Sequence, residues 1–188
     1  VTKDVRSFLG GSLDNYFGNA SEQLKLVGVT GTNGKTTVST LLFQLFSAFG
    51  YKCGLISTVE NRIAEDIIPA THTTPDAVRL HMLIAEMRDA ACEFIFMEVS
   101  SHAIDQQRIA GVKFDGALFT NITHDHLAYH LTMKNYIAAK KLFFDHLPSS
   151  AFALVNADDK NGLVMVQNTK ARKLTYGLRT MCDYKVKI

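Results

Sequence analysis

The chain has 188 residues, 47% hydrophobic and 20% charged, with 20 Lys and Arg against 18 Asp and Glu for a formal charge of +2. That is enough for one sizeable soluble domain, or one domain plus part of another, and the small net charge, without a Lys/Arg run, gives no sign of a nucleic-acid partner. No stretch reaches the roughly 18 apolar residues of a membrane span and the start does not read as a signal peptide, while Cys53, Cys92 and Cys182 lie far apart, so a cytoplasmic protein with reduced thiols is expected.

Taken in chain order, Val5, Phe8, Leu9, Leu13, Tyr16 and Phe17 predict a helix over residues 2–17, interrupted by Gly10-Gly11 and ended by Gly18-Asn19. Residues 24–29 read as a short buried strand. Residues 36–49 read as a helix with Leu41, Leu42, Leu45, Phe46 and Phe49 inward, closed by Gly50. A strand over 53–59 and a loop over 63–73 follow. Asp76 is expected to cap a helix running to about Ala91, and 94–99 and 116–120 read as the third and fourth strands. A helix over 133–147 and a fifth strand over 152–156 come next. Residues 183–188 alternate like a strand entering a sheet, with no turn or cap after them, and residue 1 is Val; the sequence is expected to be part of something longer.

Strands alternating with helices of this length predict an α/β fold, a mostly parallel sheet of P-loop type with helices on both faces. Ligands bind such sheets at the carboxyl ends of the strands. Residues 30–37, 98–102 and 121–126 all fall at such ends.

The first of these, Gly31-Thr32-Asn33-Gly34-Lys35-Thr36-Thr37, has the composition of a phosphate cradle. Backbone N–H groups and the positive end of the following helix hold phosphate oxygens, Lys35 adds a point charge, and the Thr36 hydroxyl can bind Mg²⁺. Val29 stands where the commoner spacing has its first glycine, so this is a shorter variant. Glu98 ends an apolar strand beside the loop and is placed to hold Mg²⁺; capping the next helix is the plainer use. In residues 124–130 three histidines and Asp125 fit either a zinc site, with His126 and His130 at i, i+4, or solvent-facing side chains. No metalloprotease-type glutamate accompanies them.

The segments Gly-Val-Thr-Gly-Thr-Asn-Gly-Lys-Thr-Thr (28–37), Thr-His-Thr-Thr-Pro (71–75), Met-Glu-Val-Ser-Ser-His (97–102), Phe-Thr-Asn-Ile-Thr-His-Asp-His (119–126) and Tyr-Ile-Ala-Ala-Lys (136–140) occur in that order. Together they resemble the Mur ligases, most closely the MurE type, over residues 20–180. The resemblance implies an ATP-binding central domain over 21–188, truncated at its C-terminus, preceded in 1–20 by a linker helix or remnant of a UDP-binding domain. It implies a monomeric enzyme that adds a diamino acid to UDP-N-acetylmuramoyl-L-alanyl-D-glutamate through an acyl phosphate, with ATP hydrolysed to ADP. By the same resemblance Gly31, Thr32, Asn33, Gly34, Lys35, Thr36 and Thr37 bind ATP. Thr36, Glu98, His126 and Lys140 serve Mg²⁺, Lys140 as a carbamate. His72, Thr73, Thr74, Ser100, Gln106 and Arg108 take the UDP-sugar peptide, and Lys35, Glu98, His126 and Lys140 are the catalytic set. The family reads Asp-His-Leu-Asp-Tyr-His-Gly where this chain has Ala128 and Leu131. A non-catalytic nucleotide-binding paralogue and a folylpolyglutamate synthetase-like ligase are the alternative readings.

Overall fold

The structure, a computed structural model, describes residues 4–70, 72–123 and 127–186, the side chains of Leu127 and Ala128 excepted. Its parallel strands are β1 (Lys25–Thr30), β2 (Cys53–Ile56), β5 (Phe94–Glu98), β6 (Gly116–Phe119), β7 (Phe152–Asn156), β8 (Arg172–Gly177) and β9 (Tyr184–Lys185). A hairpin, β3 (Glu60–Ile63) and β4 (Asp66–Pro69), is added antiparallel at one edge. The sheet order is β4-β3-β2-β5-β1-β6-β7-β8-β9. The chain therefore builds to one side of β1, returns through β5, and crosses to β6 on the other side. That reversal puts the loop after β1 at the crevice where open α/β sheets bind ligands.

Helices cover both faces, as the alternation of elements predicts. Helix α2 (Lys35–Ala48) lies on one face, where Phe43 packs with Val27, Leu55 and Phe96. Helices α3 (Ala77–Asp89), α4 (Ser101–Asp105), α6 (Met133–Asp145) and α7 (Gly162–Met165) accompany the other, larger core of Leu26, Leu83, Ile95, Phe119 and Phe143. Helix α1 (Val5–Tyr16) precedes β1, and α5 (Leu127–His130) precedes α6. Asp76 caps α3 as expected, accepting from Arg79 N at 3.0 Å. Cys53, Cys92 and Cys182 are free, and burial pushes the thiols of Cys53 and Cys92 up, which keeps them protonated. Among the described residues no helix is long and apolar enough to cross a membrane.

Three expectations need correction. Residues 63–73 are not a plain loop, because 60–69 form the β3–β4 hairpin. Its two-residue turn is Ala64-Glu65, with Ala64 at φ 53, so none of the glycine or asparagine signals of such turns is present. The inward face of α2 is also different: Leu41, Leu45 and Phe49 are 57, 47 and 67% exposed, while Ser39 and Phe43 are buried. The helix begins at the glycine loop, and Ser39 bonds back to the carbonyls of Lys35 and Thr36 at 2.9 and 3.1 Å. The row Lys35, Ser39, Phe43 sets the phase and turns Leu41, Leu45 and Phe49 outward, while Leu42 and Phe46 pack against the core as expected. Finally, the last strand comprises Tyr184–Lys185 among the described residues, pairing with a strand β8 that sequence periodicity does not announce.

Candidate nucleotide site

The loop between β1 and α2 is shaped by two positive-φ glycines, Gly31 at 152° and Gly34 at 86°. A Cβ on Gly31 would collide with the Thr120 hydroxyl, so only glycine lets the chain pass here. The segment after β6 ties the loop down from the other side. Thr32 N donates to Asn121 O at 2.8 Å, Asn33 N to Asn121 Oδ1 at 3.1 Å, and Thr120 Oγ1 to Asn33 O at 2.7 Å. Thr123 N donates to Thr32 Oγ1 at 3.0 Å, and that hydroxyl also meets the Tyr136 hydroxyl at 3.0 Å. Further along, Asp159 Oδ2 accepts from Ile122 N at 2.8 Å and Asn156 Nδ2 donates to Thr120 O at 2.9 Å. The cradle is thus held in place by residues from β6, α6 and the end of β7.

Three charged side chains lie beside it, Lys140 and Glu98 buried and Lys35 half-buried. Lys140, on α6, is 1% exposed; its Nζ donates to Gly31 O at 2.8 Å and sits 4.8 Å from the Tyr136 ring centre. Lys35 Nζ donates to Thr32 O at 2.8 Å and Gly31 O at 3.2 Å. Two ammonium groups therefore converge on the loop carbonyls, a concentration of positive charge suited to a polyanion. Glu98, at the end of β5, is fully buried, and its carboxylate accepts from Thr58 N at 2.7 Å and Thr58 Oγ1 at 3.2 Å. No Lys, Arg or His lies within ion-pair distance of it among the described residues. A buried carboxylate held by two neutral donors retains capacity for a hard cation.

Seven of the sequence-derived residues gather around one cleft of about 290 Å³. Lys35, His72, Thr73, Thr74, Ser100, Arg108 and Lys140 line it, joined by Ser101 and His102. Thr74 is its joint: its hydroxyl donates to Glu98 O at 2.9 Å, accepts from Ser100 N at 3.1 Å, and its carbonyl accepts from Arg108 Nη1 at 2.9 Å. Gln106 stands behind Arg108, its Oε1 accepting from Nε at 2.9 Å and Nη2 at 2.6 Å. Thr36 and Thr37 open α2, in the first turn where N–H groups have no acceptor within the helix. His124, Asp125 and His126 lie outside the described residues, and no group of three metal-binding side chains occurs among the described ones. His130 is buried, its Nε2 3.0 Å from Ser101 Oγ, so it is not a solvent-facing histidine.

Sequence reasoning missed Thr58, Asn121 and Asp159. Asn121 stands within a quoted motif, whereas Thr58 and Asp159 carry no local signal because their roles depend on pairing between distant strands. Leu131, at the place of the family's glycine, adopts φ 65 and is exposed.

A parallel sheet whose central strand feeds a glycine loop and a helix N-terminus defines an α/β domain of the phosphate-loop class. Residues 29–187 match the Mur ligase middle domain, and the chain belongs to that family. It is 59% identical over its full length to the UDP-N-acetylmuramoyl-L-alanyl-D-glutamate–2,6-diaminopimelate ligase of Parabacteroides distasonis, of which it covers 39%. It is 58% identical over 186 residues to the ligase of that name from Cytophaga hutchinsonii, covering 99% of this chain and 38% of that one. A solved structure of a UDP-N-acetylmuramoyl-L-alanyl-D-glutamate–2,6-diaminopimelate ligase superposes with a TM-score of 0.87 at 33% identity, over 97% of this chain and 38% of that one. The chain thus spans under two fifths of the length of the relatives it matches.

Proposed function

We propose that this chain is the nucleotide-binding part of an ATP-dependent ligase that joins 2,6-diaminopimelate to UDP-N-acetylmuramoyl-L-alanyl-D-glutamate. The observation that carries the reading is the burial of Lys140 and Glu98 beside a glycine loop whose carbonyls already hold two ammonium groups. Burying such charges is costly unless a ligand uses them. The names of relatives 59 and 58% identical to this chain support the choice of substrates.

In this reading Gly31–Thr37 bind the ATP phosphates, with Lys35 turning from the loop carbonyls toward the anion. A carboxylate is a poor acyl donor. Its oxygen attacks the terminal phosphorus, ADP leaves, and the resulting acyl phosphate is opened by the amine with loss of a proton and inorganic phosphate. His72, Thr73, Thr74, Ser100, Gln106 and Arg108 hold the UDP-sugar peptide, Arg108 through its planar guanidinium. Thr36 and Glu98 fit Mg²⁺, since one offers a hydroxyl and the other a buried carboxylate without a cationic partner among the described residues. His126 and Lys140 complete the set, Lys140 after its amine takes up carbon dioxide to form a carbamate and release a proton. Bound Mg²⁺ supplies charge neutralisation to the phosphates. Residues 1–20 serve as the linker from a preceding domain, and the protein works as a cytoplasmic monomer.

The test is phosphate release by the full-length protein that contains this chain. Release should require ATP, the UDP-muramoyl dipeptide and diaminopimelate together. Release without the amino acid, or with a folate substrate instead, would overturn the assignment.

A further inference from the structure

Helix α4 ends in a cap in which Arg108 N donates to Ala103 O at 2.9 Å and Gln107 N to Ile104 O at 3.0 Å. The left-handed residue of such a cap is ordinarily glycine. Here it is Gln107, at φ 56. Its Oε1 is buried with no hydrogen-bond partner among the described residues, a second cost at one position. Its Nε2 donates to Asp4 Oδ2 at 3.1 Å, and the other oxygen of that carboxylate caps α1 by accepting from Ser7 N at 3.1 Å.

Three residues on, α1 and this segment touch backbone to backbone. Gly10 is the buried residue of α1, and a Cβ on it would collide with the Ala110 carbonyl. A Cβ on Gly111, at φ 82, would collide with the Gly10 carbonyl. His81 Nε2 meets Ala110 O at 3.0 Å from α3. The neighbours of Gln107 face the other way: Arg108 lines the cleft and Gln106 holds its guanidinium. The segment is thus held at its back by α1 and carries Arg108 at its front.

Resting on the ligase reading above, we propose that α1 is the positioning element for the Arg108 side of the cleft, and that Gln107 is the positioning residue that couples the two. Stability alone would favour glycine at 107, and strain together with an unpaired carbonyl at one residue is the observation that motivates a functional role.

In the full-length ligase, Gln107→Gly keeps the cap and cuts the tie, and Asp4→Ser keeps the helix cap but is too short to reach Gln107. Each should raise KM for the UDP-muramoyl dipeptide about tenfold, the effect of one hydrogen bond, with kcat and KM for ATP within about twofold. The double variant should be no worse than either single one, because both cut one link. The melting temperature of Gln107→Gly should be unchanged or higher. An unchanged KM for the dipeptide, additive effects, or loss of stability with both KM values moving together would overturn the proposal. Should the wild type turn over no dipeptide, the ligase reading fails, and deuterium exchange still decides the coupling. Both variants should exchange faster over 105–110 and not over 31–37; no change over 105–110 overturns it.

Discussion

Helices α2 and α6 flank the same loop and each buries a polar residue beside phenylalanine, but the polar residue is a serine in one and a lysine in the other. Helix α6 takes a lysine into the interior, with Lys140 and Tyr136 fully enclosed, and leaves Leu142 exposed. Helix α2 leaves Leu41, Leu45 and Phe49 exposed and buries Ser39. In both, the phase is set by the loop between them: α2 grows out of it and α6 points Lys140 at Gly31 O. The difference teaches that apolar character predicts burial in one direction only. Around this glycine loop, the element is oriented by its polar residue and the apolar ones take what remains.

The largest effect that would break this comparison is at Lys140. In the full-length ligase Lys140→Ala should reduce turnover at least about 10³-fold, as for loss of a main electrostatic group, with small acids or bicarbonate restoring part of it. Near-normal steady-state turnover would make Lys140 a core lysine and nothing more. Lys35→Ala should cost about 10²–10³-fold in the same assay while leaving the thermal midpoint almost unmoved. A collapse of the fold would instead make this lysine structural.

Stability sharpens the same contrast. Phe43→Ala should destabilise by about 3–5 kcal/mol in urea titration, whereas Leu41→Ala should stay within roughly 0.5 kcal/mol. Equal losses would mean the described phase of α2 is wrong. Leu131→Gly should stabilise by about 1 kcal/mol in the same titration, by relieving a left-handed leucine.

The smallest effect concerns Asp158, whose carboxylate accepts from Leu178 N at 2.6 Å, Thr180 N at 2.7 Å and Arg179 N at 3.2 Å. Those N–H groups hold its pKa well below the usual carboxylate range. A depressed pKa contributes stability above the unfolded value of about 3.9 that is lost as pH falls through the folded one. Asp158→Asn should therefore be slightly less stable than the parent at pH 7, and the gap should close in acid; melting curves across pH read it.

Much of the architecture was legible in residue order. The alternation of apolar runs and helical stretches, the Asp76 cap and the glycine loop are encoded within a dozen residues each, because they depend on local hydrogen bonding and backbone freedom. The β3–β4 hairpin was not legible, since Ala64-Glu65 carries no turn signal and its strands are paired by the sheet edge they join. Motif order announced Lys35, Glu98 and Lys140, but their depth and partners were invisible. Thr58 reaches Glu98 across 40 positions and Asp159 reaches Ile122 across 37.

By itself, then, the sequence determined the class of fold, the family and the place of the glycine loop after the first strand. Those depend on which residues are neighbours along the chain. Tertiary structure decided which face of α2 turns inward, that Lys140 is enclosed, and that α1 meets the Arg108 segment through two glycines. Each of these is a matter of packing between elements remote in sequence, where the enclosed volume and the available partners, rather than the hydrophobicity of a side chain, decide which residue is buried.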